Sequence, residues 1–326
     1  MARRLFLAAL LMIACLGSGC PNNGGLPNGE ESEVLEATPF ASNTNDITGL
    51  AIRPSDGALF GVNTTGLYGP IQEGDDLSTM QPIGATNLLD ADIFNGSDTS
   101  LALAITGHGE FWIGSTCCSR VAVVPPGGGD AAAFDGLLSA PSNPIKPSTL
   151  ALVPDGFDGP VINPGDLLAG QGTTFSWLTS IDPAARTVAD VPNTSTTNRD
   201  AEHLAFGPGP TLYSSRGTLS PLTPGLQQID TDGVPTNLPG TLNLGARSFV
   251  VRANGDIVLL GRHDTASGEQ LNGVLLYSAA DQDVKLGVAY SAGETVDGGD
   301  MAITADRATI FLSIAARNEI VTIADK

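Results

Sequence analysis

From Asp46 onward, short apolar runs alternate with polar turns, and the spacing of the runs repeats. DITGLAIRPSDGALFGVNTTGLYGPI, beginning at Asp46, reads as a strand, a turn centred on Asp56-Gly57, a second strand, another turn and a third strand. The same grammar returns from Ser100, Ser148, Glu202, Arg247 and Asp300. Leu50, Leu103, Leu152, Ala205, Val250 and Ala302 take equivalent core positions in this reading, a period of about fifty residues. No unit carries an apolar stripe at helical spacing, so each is a short antiparallel meander. Multi-stranded repeats of about 40–50 residues predict an all-β fold, a β-propeller. A β-sandwich is the alternative, and six matching units count against it.

Shorter runs between the units supply candidate fourth strands: LSTMQPIG from Leu77, AAAFDG from Ala131, TVADVP from Thr187, VPTNLPG from Val234 and KLGVAYS from Lys285. The last unit ends in NEIVTIADK and has none. Glu33 to Phe40, reading EVLEATPF, is the segment expected to pair beside it. That pairing would close a ring of six four-stranded blades and remove an open edge.

Composition agrees with this reading. The 326 residues include 40 Gly and 22 Pro, as expected of a chain with many turns, and only 15% are charged. Long solvent-facing helices need more Lys, Glu and Arg than that. A net charge of −20 with three lysines (Lys146, Lys285 and Lys326) also excludes a basic nucleic-acid groove.

The first residues carry a different signal. Arg3 and Arg4 precede an apolar stretch from Leu5 to Leu16, then Gly17, Ser18, Gly19 and Cys20. This is a secretory signal pattern, too short for a stable membrane span. A Cys after small residues resembles the bacterial lipobox, although Gly17 stands where that motif prefers Leu. Residues 1–19 are therefore expected to be a lipoprotein signal peptide, with Cys20 the lipidated residue. Cys15 is a competing position with a shorter apolar region, and an unlipidated signal peptide is the other alternative. Residues 20–31 read as a flexible tether and 32–326 as one propeller domain. Loss of Arg3 and Arg4 takes the net charge from −20 to −22. The expected location is the cell envelope, on its periplasmic or surface face, with only a lipid anchor touching the membrane.

The repeat ITGLAIRPSDGALFGV, followed by LYGPI, resembles NHL-like and gluconolactonase-like propellers over most of residues 46–326. The resemblance implies fold; function is left to the site. In the gluconolactonase-like group, Glu, Asn and Asp side chains hold a divalent cation over the central channel, which makes calcium the candidate cofactor. The residues here that correspond in position are Asp46, Asp92 or Asp98, Glu202, His203, and Asp297 with Asp300. Hard cations favour such oxygen ligands. Against this, the family's Gly-Glu-Gly-Pro run is absent, Arg247 would repel a cation, and Asp is common in turns.

Other signals are weaker. Asp230-Thr231-Asp232-Gly233 imitates the start of a calcium loop, but its twelfth position is Thr241 and not Glu, so it reads as a hairpin turn. Cys117 and Cys118 are adjacent and, in an exported protein, form a candidate vicinal disulfide. A similar pair occurs in some quinone-dependent dehydrogenase propellers, whose Trp-rich repeats are missing here. His203 lies among Arg199, Asp200 and Glu202, but neighbours on a strand point to opposite sides. His108 and His263 are the other histidines. No HExxH, GxSxG, Walker or GxGxxG pattern appears, and Pro125–Asp130 has no following helix to make a phosphate cradle. The expectation is a binding or scaffold module for an envelope protein, glycan or small molecule. A calcium-dependent lactone or ester hydrolase is the alternative, and a quinone-type oxidoreductase ranks third.

Overall fold

Because both faces of a strand inside a blade are covered, such strands read as nearly unbroken apolar runs, as in LALAI (Leu101–Ile105) and VAVV (Val121–Val124), all buried. The computed structural model describes residues 33–44, 46–96, 101–139, 146–170, 178–192, 201–217, 219–220, 225–296 and 299–326. The expected signal peptide, Cys20 and the expected tether lie outside the described residues.

Six antiparallel sheets form in chain order. Blade 1 holds β2 (Gly49–Ile52), β3 (Leu59–Asn63) and β4 (Gly66–Ile71). Blade 2 holds β5 (Leu101–Ile105), β6 (Phe111–Ser115), β7 (Val121–Val124) and β8 (Ala132–Phe134). Blade 3 runs through β9 (Thr149–Leu152), β10 (Leu167–Gly170), β11 (Leu178–Asp182) and β12 (Thr187–Asp190). Blade 4 comprises β13 (His203–Phe206), β14 (Leu212–Ser215), β15 (Leu226–Ile229) and β16 (Pro235–Asn237). Blade 5 is longer, with β17 (Leu244–Val251), β18 (Ile257–Asp264), β19 (Gln270–Ser278) and β20 (Asp283–Ala289). Blade 6 contains β21 (Met301–Ile303), β22 (Ile310–Ile314), β23 (Glu319–Asp325) and, at its outer edge, β1 (Leu35–Ser42). The N-terminal strand thus closes the ring, with Leu35 opposite Asp325 and Ser42 opposite Glu319.

In blade 1 the fourth place is a single bridge, Leu67 to Gly84, within the Leu77–Gly84 segment expected there. Pro82 lacks the N–H that a longer ladder would use at that edge.

Each gap between neighbouring blades holds its own apolar layer. Leu103, Ile105 and Phe60 pack between blades 1 and 2, and Leu150, Leu167 and Trp112 between blades 2 and 3. Leu50 and Phe311 fill the gap from blade 6 back to blade 1. This corrects the equivalence of the core positions. Leu50, Leu103 and Leu152 face the preceding blade, whereas Ala205, Val250 and Ala302 face the following one. The true counterparts in the last three blades include Leu204 and Met301. A slip of one residue exchanges the two faces of a strand, and apolarity on both faces hides the slip.

Side chains also stitch the inner strands together. Leu101 N–H donates to Thr48 Oγ1 at 3.1 Å, and Leu204 N–H to Thr149 Oγ1 at 3.1 Å. Met301 N–H donates to Ser248 Oγ at 3.0 Å, and Leu50 N–H to Asp300 Oδ2 at 2.8 Å. Blades approach closely at this end. A Cβ on Gly49 would meet Leu101 O at 2.8 Å, so glycine is needed there. At the other end of the inner strands, Arg307 straps three blades by donating to the carbonyls of Phe206, Gly207 and Val251.

Candidate functional site

The inner strands β2, β5, β9, β13, β17 and β21 surround a central cavity of about 830 Å³. That volume lies in the range of small-molecule sites, roughly 300–1,000 Å³. The mouth is at the N-terminal ends of these strands, where Asp46, Thr48, Ser148, Glu202, Arg247 and Asp300 gather. Four of the residues singled out in the sequence therefore meet here: Asp46, Glu202, His203 and Asp300. Asp92 does not line the cavity; its carbonyl accepts from Arg120 Nη1 in the connection after blade 1. Asp297, Asp98, Arg199 and Asp200 lie outside the described residues.

Asp300 is 9% exposed and is a clasp between blades. Its Oδ1 accepts from Ser248 Oγ at 2.7 Å and from Met301 N–H at 2.9 Å, while Oδ2 accepts from Leu50 N–H. Ser248 Oγ is also 3.4 Å from His203 Nε2, and His203 Nδ1 is 3.8 Å from Asp300 Oδ1. Serine, histidine and aspartate are thus together, but not as a relay. The serine proton is committed to the aspartate, and Ser248 is only 1% exposed. A nucleophile needs its base within hydrogen-bond reach and an open face.

Glu202 takes a separate path from its neighbour. One oxygen accepts from Gly217 N–H, and the other lies 3.4 Å from Arg247 Nη1. The strand alternation that separates Glu202 from His203 sends them to different partners, Arg247 and Asp300.

His203 packs edge-on against Phe249, ring centroids 5.1 Å apart. Burial pushes its imidazole below the ordinary 6.5, against the opposing pull of the Asp300 carboxylate. His263, buried in blade 5, is lowered for the same reason. The consequence for stability has a definite sign. Above pH 6.5 both folded and unfolded states are neutral and these histidines contribute nothing. Below it, the unfolded chain takes up protons that the folded one refuses, so stability falls until the lowered folded value is passed. The melting temperature is expected to drop between pH 7 and 5.5, and less steeply in His203→Gln. Equal slopes for the two proteins, measured by circular dichroism, would refute the assignment.

The acids Glu202 and Asp300 at the mouth are engaged with protein groups. Among the described residues no group of three or more His, Cys, Asp or Glu is placed to hold a metal ion. The oxygens of Asp300 are taken up by protein donors, and Glu202 shares the mouth with a guanidinium. Asp230 Oδ1 accepts from the N–H groups of Asp232 and Val234, which makes that motif a turn between β15 and β16.

Cys117 and Cys118 are joined by a disulfide in the turn after β6, on the mouth side, next to the lining residue Thr116. Their sulfurs lie 3.4 and 3.8 Å from the Phe94 carbonyl oxygen. His108 is exposed in the β5–β6 turn, away from the mouth.

Sequence reasoning missed Ser248, Thr48 and Thr149, although a signal was there. A Ser, Thr or Asp stands just before or at the start of the inner-strand runs at 48, 149, 248 and 300.

Solved structures share this architecture. A structure described as a gluconolactonase aligns with 13% identity over 90% of this chain and 92% of its own, at a TM-score of 0.56. A gluconolactonase from Xanthomonas campestris gives 13% identity, 87% and 89% coverage, and 0.51. Virginiamycin B lyase from Staphylococcus aureus gives 11%, 89% and 98% coverage, and 0.52. The chain is a six-bladed β-propeller. At these identities the likeness shows the fold alone. No protein-family model and no curated protein matches the sequence. The propeller's function must be argued from its own channel.

Proposed function

We propose that this propeller is an exported, lipid-anchored binding module that takes a small molecule into its channel from the mouth. The observation that carries this reading is the combination of a cavity of about 830 Å³ with reactive side chains that are already satisfied internally. Asp300 and Ser248 clasp blades, and His203 is held neutral beneath them. Such groups shape and polarise a pocket without being free to attack a ligand. The signal pattern and Cys20 support a location at the envelope, where a tether of about a dozen residues would let the module turn toward its ligand.

The test is native mass spectrometry of the protein purified from its own envelope. A co-purifying small molecule at one per chain is expected, and Ser148→Trp, which fills the mouth, should lose it. Millimolar calcium should leave the melting temperature unchanged. A saturable rise would revive the calcium-dependent hydrolase, because a ligand of the native state must stabilise it. Cys20→Ala should abolish acyl labelling and release the chain from the membrane fraction.

A further inference from the structure

Blade 5 departs from its neighbours where it meets the mouth. Its inner strand pairs Ala246 with Gly261 and then Ser248 with Leu260, so Arg247 is the extra residue of a β-bulge. A bulge redirects a side chain that regular pleating would send elsewhere, and bulges are frequent beside binding sites. Here it puts a guanidinium into the channel lining, and no other described Lys or Arg lines it. The chain has only 15 Lys and Arg in all.

The Arg247 side chain is 39% exposed. Its one polar partner among the described residues is Glu202, reached by Nη1 at 3.4 Å. Glu202 is in turn fixed through its other oxygen by Gly217 N–H. The acid therefore holds one corner of the guanidinium, and Nε and Nη2 keep their N–H groups for another partner. A planar fork of this kind matches a carboxylate. The rest of the lining limits the ligand's charge. Asp46, Glu202 and Asp300 are in the same cavity, and a phosphate dianion would face all three. Thr48 and Ser148, half-buried in the lining, add polar surface beside a neutral ligand body.

We infer that the channel recognises a small monocarboxylate, with Arg247 as the group that binds the carboxylate. This inference rests on the binding reading above and names the ligand class for the same site.

The experiment compares 4-hydroxybenzoate with 4-hydroxybenzamide, a pair matched in shape, on the full mature chain. Dissociation constants come from ligand-observed NMR, and the Arg247 Nε–H resonance is followed in nitrogen-15-labelled protein. The acid is expected to bind about tenfold or more tighter than the amide and to shift that resonance. Arg247→Gln should erase the preference, and Arg247→Lys should keep part of it. An unchanged circular dichroism melt shows that each variant folds, as expected when the lost ion pair is exposed. If acid and amide bind alike to both proteins, the carboxylate inference is overturned and channel binding stands. If neither binds and the resonance does not move, both readings fall.

Discussion

Asp300→Ala is expected to lower the free energy of unfolding by about 3–5 kcal/mol, the range for removing one partner of a buried charged network. The carboxylate joins three blades: its own, blade 5 through Ser248, and blade 1 through Leu50 N–H, which lies 250 residues away in sequence. Alanine would leave the buried Leu50 N–H and Ser248 hydroxyl without their acceptor. Leu50 is 3% exposed and Ser248 1%. Asp300→Asn keeps the shape and one acceptor but turns an amide N–H₂ toward one of the donors, so about half the loss is expected. Urea denaturation reads both variants, the midpoint falling while the slope stays constant. Ser248→Ala combined with Asp300→Ala should cost less than the two single changes summed, because the two side chains share one hydrogen bond. A loss below about 0.5 kcal/mol for Asp300→Ala, the size of an ordinary surface change, would show that Asp300 is no clasp.

The clasp also shows how far the sequence could be read. The blades were legible because short apolar runs and glycine-rich turns are local features. The N-terminal closure followed from an unpaired last edge and one spare strand, Glu33 to Phe40. The phase of the inner strands was not legible beyond Leu152. Both faces of an inner strand pack against neighbouring blades, so Leu204 and Ala205, or Met301 and Ala302, are equally acceptable by hydrophobicity. In blade 5 the bulge at Arg247 adds a residue and shifts the count again. Asp300 was visible as an acid at an inner-strand start, and its chemistry was not. Its partners are a hydroxyl on another blade and a backbone N–H from the opposite end of the chain. An acid read as a metal ligand and an acid that satisfies donors look identical until the donors are placed. In the sequence Arg247 is only a charge that would repel a cation. Its bulge belongs to the register between β17 and β18, which no single strand reveals.

Deleting residues 33–42 is expected to abolish cooperative folding. The deletion uncovers the full length of β23 and removes Leu35, which is completely buried against Val321, Ile323 and Val274. Leu35→Ala alone should cost about 2–5 kcal/mol, the usual range for a buried leucine. A bare edge beside Ile320 and Ile323 would also invite pairing with other chains. The deletion alone does not separate loss of ring closure from loss of chain length, but a permutation does. Lys326 N–H donates to Val34 O at 3.2 Å, and Lys326 Nζ pairs with Glu33 Oε2 at 2.7 Å. The two ends of the domain therefore lie side by side, with Leu35 opposite Asp325 in an antiparallel pair. A two-to-four-residue turn joining Lys326 to Glu33 would complete a hairpin of common length. New termini placed between Ser42 and Asp46 would release β1 from its original connection. This permutant contains every strand of the ring. It should unfold in a single transition within a few degrees of the parent, whereas the deletion shows none. If the permutant also fails to fold, the strand must be delivered from the N-terminal side. If the deletion variant melts cooperatively, β23 does not need its partner and the closure by β1 is ornamental to stability.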